Sequence, residues 1–280
     1  MSQPDRPGDD PDMDHEKKDR DMNTDEPSRL LFAGDIHGSP RWARHVVATA
    51  VTVAADAIVQ AGDLGYWEHE ARGVAFLDRL DADLATNDLR LVFVDGNHEN
   101  HTLLRSRYRP YPDGFVEVRP RIAYAPRGTR WTWGGVRFLA AGGAVSIDRE
   151  WREPGESWWE EEALTEADVH RCVAGGPADV VVSHDAPAGV AAMGPETCGD
   201  KDADPTSWRN RLRLRRIVDA VQPQLLVHGH YHHPKESDLE LEGRSLRVIG
   251  LGRDGDPGAL RVIDLDDLPG SSTSDLRRSA

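Results

Sequence analysis

The chain has 280 residues and a formal net charge of -15, enough length for one sizeable core and the wrong sign for tight binding to duplex DNA, whose affinity comes from Lys and Arg neutralising phosphates. Its two cysteines, Cys172 and Cys198, are too few for a disulfide framework or a thiolate zinc site, and no apolar run approaches the length of about 18 residues that a membrane span needs. The composition therefore predicts one large cytoplasmic domain with no membrane partner.

Residues 1–28 are acidic and polar with almost no apolar side chains, so they cannot bury enough surface to offset the entropy of ordering and read as a disordered tail. The ordered domain is predicted over 29–268. It opens on Leu30-Leu31-Phe32-Ala33, an apolar run that ends directly at Asp35-Ile36-His37-Gly38, as a buried strand feeding a site would. A helix is predicted over 41–54. The pattern repeats twice: Ala57-Ile58-Val59-Gln60 leads into Gly62-Asp63, and the run 89–94 leads into Gly96-Asn97-His98-Glu99, with a helix over 68–84 between them. Strands alternating with helices imply βαβ units, whose ligands sit at the carboxyl ends of the strands.

The middle changes character. Arg130-Trp131-Thr132-Trp133, the turn pair Gly134-Gly135 and the run 136–141 read as a β-hairpin, with Trp131 and Trp133 alternating into a core. A loop rich in Gly, Pro and Trp follows to Glu162; Arg149 and Arg152 in it read as solvated surface. Thr165 with Asp168 marks a helix start. Val180-Val181-Val182 then delivers Ser183-His184-Asp185, and Leu225-Leu226-Val227 delivers His228-Gly229-His230-Tyr231-His232, with a helix over 208–221 between them. Short strands near Leu239, over 246–249 and over 259–263 close the domain, and 269–280 reads as a flexible tail. His15, His45, His69, His170 and His233 have no ligand-like spacing and read as surface or structural.

Five strand ends therefore carry oxygen and nitrogen side chains that suit divalent metal ions. Asp35 and His37 share a face, as do His230 and His232; Asp63 can bridge two ions, Asn97 offers a neutral amide oxygen and His184 a nitrogen. Two divalent ions would outweigh the Asp35 and Asp63 carboxylates together with a bridging hydroxide, leaving a positive centre that draws phosphoryl oxygens into an acidic protein.

This order and spacing resembles the calcineurin-like metallophosphoesterase superfamily over about residues 30–264. The resemblance implies an α/β four-layer αββα sandwich of two mixed sheets flanked by helices, with a dimetal site at the strand carboxyl ends. It implies one metal on Asp35, His37, Asp63 and His232 and a second on Asp63, Asn97, His184 and His230, manganese first and iron or zinc as alternatives. By the same resemblance a metal-bound hydroxide attacks a phosphate mono- or diester while His98 assists the leaving group and Glu99 orients it. Asp185 and His228 stand beside ligands and can fix their orientation. Tyr66, Trp67, Asn100 and His101, with the loop 151–159, are the candidates for substrate contact. Gly62-Asp63 continues as Leu64-Gly65-Tyr66-Trp67 and so departs from the Asp-Arg-Gly of the phosphoprotein phosphatase branch. Small phosphate esters or phosphopeptides are the implied substrates. A phosphoprotein phosphatase and a catalytically silent metal-binding regulatory module are the alternatives, and the sequence carries no sign of oligomeric state.

Overall fold

The structure, a computed structural model, describes residues 26–106, 114–191 and 204–268. Strand and helix alternate from the start: β1 (Arg29–Ala33), α1 (Pro40–Thr52), β2 (Ala57–Gln60), α2 (Ala71–Thr86), β3 (Leu91–Phe93), a short α3 (His101–Ser106), then β4 (Val116–Arg119) and β5 (Ile122–Tyr124). The second half runs β6 (Arg130–Trp133), β7 (Val136–Ala141), α4 (Glu166–Ala174), β8 (Val180–Ser183), α5 (Pro205–Val221), β9 (Leu225–His228), β10 (Lys235–Leu241), β11 (Arg244–Gly250) and β12 (Leu260–Asp264).

Two six-stranded sheets result, ordered β12-β1-β2-β3-β5-β4 and β10-β11-β9-β8-β7-β6. In each, four parallel strands form the centre and an antiparallel strand closes either rim. Five of the central strands, β1, β2, β3, β8 and β9, are buried on both faces, which is why they read as apolar runs rather than alternating ones. Their period of two still sorts the side chains: Leu30, Phe32, Val59 and Val92 meet Phe138, Val182 and Val227 between the sheets, while Leu31, Ile58 and Phe93 turn outward to α1 and α2. On the far side Leu139, Val181 and Leu226 pack against α4 and α5. The layers are therefore helix, sheet, sheet, helix, the αββα sandwich that the motif order implied.

Helix boundaries follow local chemistry. Ser39 caps α1 by accepting from Trp42 N–H, and Pro40 takes the first helical position, where its missing N–H costs nothing. Thr165 and Asp168 form the reciprocal capping box expected of α4. α2 starts at Ala71 rather than 68, because Glu68 is held by the Tyr66 hydroxyl at 2.7 Å and by Arg119 Nη1 at 2.6 Å. α5 starts before 208, at Pro205, with Asp204 accepting from Thr206 N–H. α3, β4 and β5 were not legible in the sequence. The N-terminal tail lies outside the described residues up to 25, and Glu26 is already tied to the fold, accepting from Gly134 N–H at 2.9 Å. Cys198 and residues 269–280 also lie outside the described residues; Cys172 is a buried free thiol on α4. No helix among the described residues is long and apolar enough to cross a membrane.

Candidate metal centre

Each strand that the sequence marked as feeding the site stops at most a few residues short of a polar side chain. Asp35 follows β1, Asp63 follows β2, Asn97 and His98 follow β3, His184 follows β8, and His230 and His232 follow β9. The first sheet supplies Asp35, His37, Asp63 and Asn97, and the second supplies the remaining three histidines. His37 (φ 50°), Asp63 (φ 58°), His230 (φ 70°) and His232 (φ 53°) all adopt the left-handed conformation that costs an L-residue roughly 1–2 kcal/mol, so the backbone is bent to aim these side chains inward. Two glycines let the loops close. A Cβ on Gly96 would lie 2.1 Å from Asp63 Oδ1, and one on Gly229 would lie 2.2 Å from Asp35 Oδ1.

The two carboxylates are used alike. Asp35 Oδ1 accepts the His230 N–H at 3.1 Å, and Asp63 Oδ1 accepts the His98 N–H at 2.8 Å, so each is anchored through one oxygen to the backbone of a different loop. The second oxygens face inward. Asp35 Oδ2 is buried and accepts no hydrogen bond, with His232 Nε2 at 3.0 Å and His37 Nε2 at 3.8 Å. Asp63 Oδ2 lies 3.2 Å from His184 Nε2, 3.5 Å from His37 Nε2 and 3.8 Å from His98 Nε2. Among the described residues, Asp35–His37–His232, His37–Asp63–His98 and Asp35–Asp63–His184 each bring three ligand-type atoms within 4.8 Å of one another.

His184 decides what this cluster is suited to hold. Its Nδ1 donates to the Ala61 carbonyl at 2.7 Å, so Nε2 is the nitrogen left to face the cluster. Nε2 points at Asp63 Oδ2, 3.2 Å away, and at Asn97 Oδ1, 3.1 Å away, both of which can only accept. Two acceptors converging on Nε2 in a buried space call for positive charge between them, which a proton on His184 or a bound cation would supply. Burial opposes charge on His184, yet Asp63 and then Asp35 outweigh it and hold its pKa up to about 10; burial likewise opposes charge on His37, and Asp63 and Asp35 hold it up to about 9. Asp63 is buried too, but His184 and His98 keep its carboxyl well below the ordinary value. His230, 5.1 Å from His184 between ring centroids, is pushed down to about 4 by burial and by His184, which keeps its imidazole neutral. The residues fit divalent cations: carboxylate, imidazole and amide atoms gathered around the buried Asp35 and Asp63.

His98 stands at the half-buried edge of this cluster, within reach of His37 and Asp63. Its ring meets His37 edge-on at 5.4 Å, and its carbonyl accepts the Trp67 indole N–H at 2.6 Å, so Trp67 braces the loop. Burial lowers the His98 pKa; Asp63 resists, and Arg152 and His37 reinforce the fall. Arg152, which the sequence suggested as solvated surface, reaches back so that Nη1 and Nη2 lie 3.0 and 3.1 Å from the two His98 ring nitrogens. Asp148 grips its Nε and Nη2 at 2.7 and 2.8 Å. Asp254, also unmarked in the sequence, stands 3.7 Å from His37 Nδ1.

Several expected roles are corrected by where the side chains lie. Tyr66 is fully buried with its hydroxyl on Glu68, and Asn100 is buried between His69 Nδ1 and the Leu103 N–H, so neither presents a face to a substrate. His101 is buried as well. Its Nε2 donates to the Gly96 carbonyl at 3.1 Å, and burial pushes its pKa down to about 4. Glu99 does not orient the His98 ring; its oxygens accept the Gly65 and Gly96 N–H groups and so join the loops carrying Asp63 and Asn97, while burial and Asp63 push its carboxyl up to about 8. Asp185 accepts from Asn210, the Tyr231 hydroxyl and the Ala186 N–H, fixing the backbone between His230 and His232 rather than a ligand ring. His228 Nδ1 donates to the Gly229 carbonyl. Trp131 and Trp133 pack on Phe138 in the core, as their alternation implied, whereas Trp151 is 88% exposed.

The calcineurin-like phosphoesterase profile matches residues 28–234. TT1561 of Thermus thermophilus superposes with a TM-score of 0.51 at 18% identity, covering 85% of this chain and 99% of that one. A dimetal phosphatase from Danio rerio superposes with a TM-score of 0.53 at 15% identity, covering 86% of this chain and 93% of its own. At such identities the superpositions speak for the fold alone, and no curated protein sequence matches the chain. With the family profile spanning the βαβ units and all the strand-end motifs, the chain belongs to the calcineurin-like phosphoesterase family.

Proposed function

We propose that this protein hydrolyses small phosphate esters, mono- or diesters, with two divalent ions held by its strand-end side chains. The observation that carries the reading is the convergence of Asp63 Oδ2 and Asn97 Oδ1 within 3.2 Å of His184 Nε2, beside an Asp35 Oδ2 that accepts no hydrogen bond. When bound, such ions supply Lewis acidity toward a phosphoryl oxygen and lower the pKa of water. Asp35, His37, Asp63 and His232 would hold one and Asp63, Asn97, His184 and His230 the other, with Asp63 shared. The N/O set suits manganese, with iron or zinc as alternatives.

His98 takes the acid role in this reading. Its backbone N–H is anchored on Asp63, which places the imidazole at the edge of the cluster, where a ring N–H can pass its proton to a leaving-group oxygen. Arg152 orients the phosphoryl group. A neutral imidazole accepts at one nitrogen only, so a guanidinium fork facing both His98 nitrogens keeps a spare donor at the site, matched in shape to phosphoryl oxygens. Trp67 holds the His98 loop in place.

The test is hydrolysis of para-nitrophenyl phosphate and bis(para-nitrophenyl) phosphate by chelator-treated protein with and without added manganese. Activity that disappears on chelation and returns with manganese is expected; turnover indifferent to both sinks the proposal.

A further inference from the structure

We infer that Ser146 and Glu162 are positioning residues that fix which end of the Asn97 amide faces the metal centre. The inference rests on Asn97 being a ligand, as proposed above, and on the direction in which three buried hydrogen bonds run. Asn97, Ser146 and Glu162 are each no more than 3% exposed, so none of the three can exchange its partner for solvent. Ser146 lies in the loop after β7, and Glu162 ends a 3-10 turn over Glu160–Glu162 at the close of the Trp-rich loop. Both come from outside the motifs that mark the ligands.

Glu162 supplies only acceptors when ionised. Its Oε1 takes the Ser146 N–H at 2.8 Å and its Oε2 takes the Ser146 hydroxyl at 2.6 Å. Burial pushes the Glu162 carboxyl up, and the two Ser146 donors pull it back toward the charged form. With its one proton committed to Glu162, the Ser146 Oγ offers Asn97 a lone pair and nothing else. At 3.0 Å from that oxygen Asn97 must present its NH2 group, Nδ2. The amide oxygen is then forced to the opposite side, where Oδ1 lies 3.1 Å from His184 Nε2 in the ligand cluster. An amide whose ends differ only in N and O has no steric reason to choose; the carboxylate two bonds away makes the choice. Glu162 is itself held, because Arg127 donates to the Glu162 carbonyl at 2.7 Å and to Asp95 Oδ2 at 2.8 Å, tying the turn to the strand end that carries Asn97.

Glu162→Gln tests the direction of the relay without changing its shape. A glutamine can donate its amide to Ser146 Oγ, whose proton then turns to Asn97 and attracts the amide oxygen away from the metal. Manganese titrations of the full chain by calorimetry, with electron paramagnetic resonance to detect a coupled ion pair, should show wild type binding two ions. Glu162→Gln and Ser146→Ala should each weaken one of the two by about 10–100-fold and lose the coupled signal while the other ion binds as before. Ser146→Ala removes the relay outright and covers the case in which Glu162→Gln fails to fold; a general structural defect would weaken both ions together and overturn the inference. Two ions bound with wild-type affinity in both variants, while Asn97→Ala loses one, would overturn the relay alone. Two ions retained in Asn97→Ala would overturn the ligand assignment and the relay with it.

Discussion

Gln60→Leu should destabilise the metal-free protein by about 2–4 kcal/mol. Gln60 ends β2 as a fully buried polar side chain in a strand that is otherwise apolar, and its amide spans the two loops that carry the carboxylates. Nε2 donates to the Gly34 carbonyl at 3.1 Å and to the Gly62 carbonyl, and Oε1 accepts the Gly62 N–H at 3.1 Å. Gly34 immediately precedes Asp35 and Gly62 immediately precedes Asp63. Leucine fills similar space but leaves these three backbone contacts unmade, at roughly 1–2 kcal/mol each, and recovers roughly 1–2 kcal/mol from the added apolar burial. Urea denaturation of chelated protein measures the difference without any contribution from bound ions. A loss below about 1 kcal/mol would refute the reasoning, since it would mean that the backbone groups find other partners at no cost. The same variant should bind manganese more weakly than wild type, because the two loops would no longer be held at a fixed separation.

His98→Ala should lower turnover on para-nitrophenyl esters by about 10²–10⁴-fold while metal content, read by elemental analysis, stays at the wild-type level. Arg152→Ala should raise KM for phosphate esters about tenfold, with manganese affinity unchanged, and an unaltered KM would remove Arg152 from the substrate's path. Stability should fall as pH drops from about 6.5 toward 4 through His101: its folded pKa of about 4 lies below the unfolded value, so the unfolded chain binds the proton first and folding loses up to roughly 3 kcal/mol across that window. In His101→Gln that part of the slope, followed by thermal unfolding of chelated protein at stepped pH, should be absent.

The parts of the fold and site legible in the sequence share one property: they are local. An apolar run ending in Asp-x-His or Gly-Asp announces both a strand and what it delivers, and this held for β1, β2, β3, β8 and β9 because each is buried on both faces. Side chains whose roles depend on distant partners are not legible in this way. Tyr66, Asn100 and His101 stand next to the motifs in the chain, but the short helix α3 and the Tyr66–Glu68 contact turn them into the core. Arg152 and Glu162 look like charged loop residues. Nothing local distinguishes Glu162 from the exposed Glu160 beside it in the run 160–162; only the fold sets one against Ser146 and leaves the other in water. β4, a rim strand of the first sheet, and its neighbour β5 are short, with too few residues to establish a period.

The division of the centre between the sheets has a mechanical consequence. Asp35, His37, Asp63 and Asn97 ride on one sheet and His184, His230 and His232 on the other, so the cluster is assembled only across the interface between the sheets. The polar cluster thus works as a rivet across the seam. Any slip of one layer past the other, however small, would alter the span between its halves. Phe138, Val182 and Val227, far from any chemistry, accordingly act as the gauge block that keeps the span constant.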